Sequence, residues 1–252
     1  MKAASSRAPI LFVTGTDTGV GKTAVTAMLA RLLSENGRTV HVCKPIETGC
    51  RRNEQGELEP TDARVLREAG GGRQSLEQVI HYRFEAPVAP SVAAASVAAR
   101  IDREALVLHI EQQAIDCDLL LVEGAGGLLV PIVDDYRFLE LCRDLRATAL
   151  VVVGSRLGAI NHTLLTLDVL QHGGIEVAGY VVNHPFSAAQ DQEALRTNRS
   201  ALADGARRYR VGELFSVPFA KAQSFTGVLE AGLTAIRPYS RSIIEHLLRA
   251  RL

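Results

Sequence analysis

The stretch ILFVTGTDTGVGKT, Ile10 to Thr23, decides how the rest of the chain is read. Ile10 to Thr14 is a short, mostly apolar run, and it passes into a glycine-containing loop that ends in Gly21, Lys22 and Thr23. Lys22 to Asn36 then continues at helical spacing, with Val25, Met28, Leu29, Leu32 and Leu33 on one stripe and Gly37 placed just past the end. A strand, a glycine-rich loop and a helix in that order form a phosphate cradle. Backbone N–H groups wrap the phosphates and the helix N-terminus adds partial positive charge. Gly19 and Gly21 allow close backbone approach, Lys22 suits the β and γ phosphates, and the hydroxyl of Thr23 suits Mg²⁺. The pattern departs from GxxxxGK[ST] in one place: Thr16 stands where the first glycine belongs, with Gly15 one residue early. A glycine-rich turn with a chance Lys-Thr is the alternative, and the flanking strand and helix patterns disfavour it.

Further apolar runs follow at Thr39 to Cys43, Leu119 to Val122, Ala149 to Val153, Val177 to Val182 and Val211 to Val217. Helical patterns lie between them at Arg103 to Ile115, Phe138 to Leu145 and Ile160 to Gln171. This alternation predicts an α/β fold of the P-loop NTPase type, a mostly parallel sheet with helices on both faces. No interdomain linker or repeat breaks it, so residues 1–252 are read as one domain. Glu47 to Gln78 is polar and charge-rich, too long for a simple connection, and is expected to be functional or partly mobile. Pro87 and Pro90 mark a second irregular stretch.

Composition narrows the partners. Lys and Arg total 28 and Asp and Glu total 28 among 252 residues, a balance that argues against nucleic acid or an anionic membrane as partner. Aromatics are only 5%, so the core is expected to be aliphatic. Cys43, Cys50, Cys117 and Cys142 form no CxxC pair and are read as small hydrophobes rather than disulfides or metal ligands. The opening MKAASSRAPI carries no apolar run, no stretch is long enough for a membrane helix, and the expected compartment is the cytoplasm.

The strand ends carry the remaining candidates. Lys44 closes the second strand, where open parallel sheets bind ligands, and can stabilise charge on a phosphate. Taken alone it also fits a solvated lysine. Asp62 fits a helix-capping acid as well as a cation ligand. Glu123 follows the run LLLV and precedes Gly124, Ala125, Gly126 and Gly127, a setting suited to a Mg²⁺-linked carboxylate. Asn183 fits either an adenine edge or a turn. His162 and His184 have no partner at triad or metal spacing, so neither is read as catalytic.

Taken in order, FVTGTDTGVGKT (Phe12 to Thr23), CKPIETG (Cys43 to Gly49), TDA (Thr61 to Ala63), LLVEGAGGLLVP (Leu120 to Pro131), VVVGSRLGAINHTLLT (Val151 to Thr166) and GYVVN (Gly179 to Asn183) resemble the dethiobiotin synthetase family. The resemblance runs from about residue 10 to 220, and EGAGG and LGAINH are its most distinctive pieces. It implies ATP-dependent joining of CO2 to 7,8-diaminononanoate, with ATP as co-substrate and Mg²⁺ as cofactor, in a homodimer. The reaction passes through a carbamate and a carbamic–phosphoric anhydride, so no protein nucleophile is required. By resemblance, Lys22 and Lys44 are the catalytic lysines, and Thr23, Asp62 and Glu123 hold the metal. The implied nucleotide contacts are Thr18, Gly19, Val20, Gly21, Lys22, Thr23 and Ala24, then Asp62, Glu123, Gly124, Ala125 and Gly126. Asn183, His184, Pro218, Phe219 and Ala220 complete them near the base. Thr48 matches the diamino acid contact, and the stretch from Gly158 to Asn161 matches the segment that holds the substrate's carboxylate tail across the dimer interface. After residue 220 the sequence departs from the family pattern, and no ribose-contacting acid is assigned there. A partitioning-type ATPase is the rival reading; it calls for a Lys where Asp17 stands and for a basic face or an amphipathic tail.

Overall fold

The computed structural model describes residues 7–185, 192–222 and 224–249. The first six residues, which include part of the opening read above for targeting signals, lie outside them. The chain begins with β1 (Ile10–Gly15), α1 (Lys22–Glu35), β2 (Val40–Cys43), β3 (Ile46–Thr48), β4 (Arg51–Arg52), β5 (Leu58–Glu59), α2 (Thr61–Ala69) and α3 (Leu76–Val79). Next come β6 (Tyr82–Phe84), α4 (Pro90–Ser96), α5 (Arg103–Gln113), β7 (Leu119–Glu123), β8 (Pro131–Val133), β9 (Tyr136–Arg137) and α6 (Phe138–Asp144). The last part holds β10 (Thr148–Gly154), α7 (Ala159–His172), β11 (Val177–Asn183), α8 (Gln192–Arg207), β12 (Glu213–Val217), α9 (Phe225–Ile236) and α10 (Ser240–Arg249).

Six strands form the main sheet in the order β12-β11-β10-β1-β7-β2, and every pairing in it is parallel. Side chains alternate across a strand, so each strand feeds two cores. Ile10 and Phe12 join Leu120, Val122, Ala149, Val151 and Val153 on one face, beneath α5, α6 and α7. Leu11 and Val13 join Leu119, Leu121, Leu150 and Val152 on the other, beneath α1 and α9. Burial on both faces is why these runs read as continuously apolar rather than alternating. The stripe on α1 is fully committed to the second core: Val25, Met28, Leu29, Leu32 and Leu33 are at most 1% exposed. Gly37 takes a left-handed φ of 73° just beyond Asn36, and Arg38 donates back to the Leu33 carbonyl, closing α1 as the sequence predicts.

The order of the sheet positions the site. From β1 the chain crosses α1 to β2, on the far side of β7. From β10 it crosses α7 to β11, toward the opposite edge. The crevice at this change of direction opens at the carboxyl ends of the strands.

Two stretches hold more regular structure than the sequence reading places there. The segment from Glu47 to Gln78 is folded: it holds β3, the β4–β5 hairpin, α2 and α3, which its charged composition masks. Its helix α2 buries only Ala63, Leu66 and Ala69, a stripe too narrow to stand out in a polar sequence. Pro90 opens α4 as its first residue, a place where the missing N–H is harmless. Smaller differences are a start of β12 at Glu213 instead of Val211 and the helices after residue 224, where the sequence reading places none. All four cysteines are free, and Cys43, Cys50 and Cys142 are buried. Among the described residues no helix is long and apolar enough to cross a membrane.

One packing detail makes stability depend on pH. The His109 ring on α5 lies 4.6 Å from that of His81, tilted by 33°, and its Nε2 has no partner. Burial, helped by the charge His81 would carry, pushes the pKa of His109 down to about 4 from 6.5. The unfolded chain takes up a proton that the folded protein refuses, so stability is complete above the unfolded value and declines as pH falls toward the folded one. In urea unfolding, His109→Leu is expected to lose less stability than wild type between about pH 7 and 4.5. Parallel losses in the two proteins would show that His109 does not carry this dependence.

Candidate active site

The P-loop joins β1 to α1, and its shape is enforced by small residues. Gly21, the residue before α1, has a φ of 90°, and a Cβ there would lie 2.1 Å from Nδ2 of Asn183. Gly19 also has a positive φ, 74°, with open space around it. Gly15 has a different task. It ends β1, and a Cβ on it would lie 2.7 Å from Cγ2 of Val20. Gly154, at the end of β10, meets the same side chain at 2.9 Å. Val20 is therefore a wedge between two strand ends, which explains why the early glycine is needed although it is off the usual register.

Around this loop the predicted residues converge. Lys22 is 7% exposed and donates to the Asp17 carbonyl at 3.0 Å. Burial, and then the charge of Lys44, lower its pKa to about 8, so it still carries its proton at neutral pH. Glu123, at the tip of β7, has no exposed surface. Its Oε1 accepts from the Thr23 hydroxyl at 2.9 Å and from Lys44 Nζ at 2.5 Å. Lys44 also lies 3.0 Å from Asp62 Oδ2. Burial disfavours the charged form of Lys44, but the two carboxylates outweigh it and hold the ammonium charged.

The donor set fits a Mg²⁺ ion. Thr23, Asp62 and Glu123 offer hard oxygens, and Glu123 Oε2 is buried with no hydrogen-bond partner. Among the described residues no group of three or more His, Cys, Asp or Glu stands ready to hold an ion by itself.

A cavity of about 320 Å³ is bounded by the P-loop from Thr18 to Thr23, by Lys44, Glu47 and Thr48, and by Asp62, Glu123, Ala125 and Gly126. A larger cleft of about 840 Å³ lies elsewhere, between the start of α5 and the β8–β9 hairpin. Its two arginines are paired, Arg100 with Asp134 and Arg103 with Asp144, and no residue at the tips of the main-sheet strands lines it. The smaller cavity is the better candidate because its lysines face an open cradle.

The other sequence candidates take up distinct places. Gly124 lies against the Phe12 ring, where a Cβ would come within 3.1 Å. Ala24 is buried in the first turn of α1. Asn183 is buried and donates through Nδ2 to the Val20 carbonyl at 2.8 Å, which leaves Oδ1 as its acceptor. His184 is half-buried beside Ser216. Pro218 and Phe219 are exposed, and Ala220 is half-buried, just after β12. Gly158 precedes α7 with a φ of 89°, and Asn161 is exposed on the first turn. These two do not line the Lys44 cavity. They stand by a second hollow of about 310 Å³ between the P-loop and α7, lined by Asp17, Leu129, His162 and Leu165.

Two residues of the site were missed from sequence. Arg156 pairs with Asp17, tying the P-loop to the turn before α7. The sequence signal was a lone Arg in an otherwise apolar and glycine-containing turn. Glu47 is 6% exposed and accepts from the backbone N–H groups of Asp62 and Ala63, each at 3.0 Å. Its signal was an acid beside Ile46 in a short strand that packs inward.

Known proteins bear on this arrangement. A family model described as an AAA domain matches residues 10–220. An ATP-dependent dethiobiotin synthetase of Anaeromyxobacter dehalogenans (strain 2CP-C) is 40% identical over 228 residues, covering 84% of this chain and 98% of the relative. The enzyme of the same name from Thermodesulfovibrio yellowstonii is 38% identical over 200 residues, covering 77% and 82%. The chain belongs to the dethiobiotin synthetase family. Another member, from Aquifex aeolicus, is 36% identical and aligns over 90% of this chain and 99% of its own. A solved structure of a ParA family ATPase from Chlorobium tepidum TLS covers 96% of this chain and 99% of its own, with a TM-score of 0.52 at 11% identity. That likeness concerns the fold alone. In this dethiobiotin synthetase family member, Asp17 is held by Arg156 at the position where the rival reading needs a lysine.

Gly21→Ala tests the cradle. Its Cβ would strike the Asn183 amide in a backbone conformation that L side chains rarely adopt. The variant is expected to bind ATP at least about tenfold more weakly, a loss of roughly 1.4 kcal/mol, by titration calorimetry. Wild-type affinity would show that the loop relaxes around the added methyl.

Proposed function

We propose that this chain is an ATP-dependent dethiobiotin synthetase that closes the ureido ring by joining CO2 to 7,8-diaminononanoate, as a step of biotin synthesis. The observation that carries the reading is the convergence of two buried lysines, Lys22 and Lys44, on a P-loop cavity that also holds Thr23, Asp62 and Glu123. Membership of the family supplies the reaction. We infer that residues 1–252 act as one catalytic unit.

The proposed chemistry balances without a covalent enzyme intermediate. One amine of the diamino acid adds to CO2 and loses a proton, giving a carbamate. A carbamate oxygen attacks the γ-phosphorus of ATP, and ADP leaves, giving a carbamic–phosphoric anhydride. The second amine attacks the carbamoyl carbon, phosphate leaves taking up the proton the amine gives up, and the ring closes. The work left for the protein is positioning and charge neutralisation. The Lys22 ammonium, already partly stripped of water, suits the β and γ phosphates. Lys44 keeps its proton in a buried setting, so its charge acts at low dielectric on the negative charge of the transferring phosphoryl group. Mg²⁺, when bound, would neutralise and orient the phosphate oxygens, and Thr23, Asp62 and Glu123 would hold it. Thr48 offers a half-buried hydroxyl to the diamino acid at the mouth of the cavity. The nearby thiols of Cys43 and Cys50 are pushed up by burial and offer no thiolate nucleophile.

We also infer a homodimer. Leu157, Leu165 and Leu129 are 82%, 57% and 51% exposed around the start of α7 and the hollow beside it. Covering them with a second copy would place Gly158 and Asn161 at the interface, in reach of a substrate tail. The free cysteines fit a reducing compartment, and we place the enzyme in the cytoplasm with no membrane or nucleic acid partner.

With ATP, Mg²⁺ and bicarbonate, phosphate release is expected to require the diamino acid and to match dethiobiotin formed, followed by coupled phosphate assay and mass spectrometry. Equal phosphate release without the diamino acid would sink the synthetase reading. Lys44→Gln keeps a donor facing Glu123 but removes the charge. It is expected to bind nucleotide within about twofold of wild type and to lose kcat by roughly a hundredfold or more. Near-normal kcat would remove Lys44 from the chemistry.

A further inference from the structure

The buried carboxylate of Glu47 has no place in the reaction just described, yet it lies in the wall of the same cavity. Helix α2 begins at Thr61, and its preceding residue is Pro60, whose side chain can accept nothing. The first N–H groups of a helix need acceptors from outside the helix. Glu47 supplies them from 15 and 16 residues upstream, one oxygen to Asp62 N–H and the other to Ala63 N–H. The partial positive charge of the helix start favours an anion there. Backbone bonds to α2 stabilise the ionised carboxylate, while burial opposes it and leaves the carboxyl above its ordinary range.

A local cap such as Ser or Asp at position 60 would satisfy the same N–H groups. A long-range acceptor does something a local cap cannot. It fixes the backbone of Asp62 to β3, the strand that begins two residues after Lys44 and carries Thr48. Asp62 then presents its carboxylate 3.0 Å from Lys44, beside Glu123. Each oxygen of Glu47 is turned toward α2 by one of these bonds, so the carboxylate is engaged with the helix start. We propose that Glu47 is a positioning residue: by clamping the start of α2 it places the Asp62 carboxylate, and through it sets the affinity of the nucleotide-loaded site for its divalent cation. This rests on reading Asp62 as a cation ligand.

The experiment compares wild type, Glu47→Gln, Asp62→Asn and the double variant. Each protein is loaded with a non-hydrolysable ATP analogue, and Mn²⁺ is titrated while the free-ion EPR signal is followed. Glu47→Gln is expected to weaken Mn²⁺ binding by roughly ten- to a hundredfold, the range for groups that orient a metal ligand. The double variant is expected to bind Mn²⁺ no more weakly than Asp62→Asn alone. A purely structural cap would lower the melting temperature and leave Mn²⁺ affinity at the wild-type value. That outcome overturns the proposal, and so do two losses that multiply in the double variant. If Glu47→Gln does not fold, Glu47→Asp replaces it under the same criteria, since it keeps the charge but retracts it by one methylene. Failure of both to fold would make Glu47 a folding residue and overturn the positioning role. Wild-type Mn²⁺ affinity in Asp62→Asn sinks the cation-ligand reading and this inference with it. A full Asp62→Asn effect beside a silent Glu47→Gln sinks only the inference.

Discussion

A carboxylate with no exposed surface at the tip of a central strand is a severe demand on a fold. Glu123 meets it by taking Lys44 and Thr23 on one oxygen. Lys44 comes from the end of β2, Thr23 from the first turn of α1, and Asp62, the second partner of Lys44, from α2. Four elements are thereby brought to one point. A buried ion pair of this kind contributes little net stability, because desolvation offsets the attraction, but removing one partner typically costs about 3–5 kcal/mol. Its value is in placement. One ammonium against two carboxylates leaves the cluster with an excess of negative charge, which is the local field a divalent cation seeks.

Neutrality of the whole chain hides this. The 28 basic and 28 acidic residues say nothing about where the charge sits, and most ion pairs are on the surface, where each is worth little. Among the described residues, the few charges that are nearly or fully buried, Lys22, Lys44, Glu47 and Glu123, all belong to the cavity. Fold and site thus divide the work by residue type. The core between the sheet and its helices is mostly aliphatic, and the buried charge gathers at the strand ends.

The parts legible in sequence are those whose signal is local. Strands buried on both faces leave unbroken aliphatic runs, so five of the six sheet strands are placed to within a residue, and the sixth starts two residues later than read. The P-loop is readable because glycine spacing and Lys22-Thr23 are contiguous. Lys44 and Glu123 are readable because they terminate such runs. What escapes is whatever depends on residues far apart in the chain. Glu47 acts on backbone groups of α2, and Arg156 on a loop 139 positions away. The helix α2 escapes because its buried stripe is three residues wide. Asn183 falls between. The sequence leaves it as a turn or an adenine contact, and the structure adds a third duty, holding the Val20 carbonyl.

The Val20 wedge has a consequence for the energetics of binding. A glycine-rich loop left to itself samples many backbone states, and a ligand that needs one of them must bear the loss of the others. Here the side chain of Val20 is gripped by Gly15 and Gly154, and its carbonyl by Asn183, so three different strands restrain one residue in the middle of the loop. The freedom is surrendered during folding, where the hydrophobic core compensates for it. An incoming triphosphate therefore meets a receptor whose ordering entropy has already been spent, and more of its contact energy remains to appear as affinity or to be drawn on in the transition state.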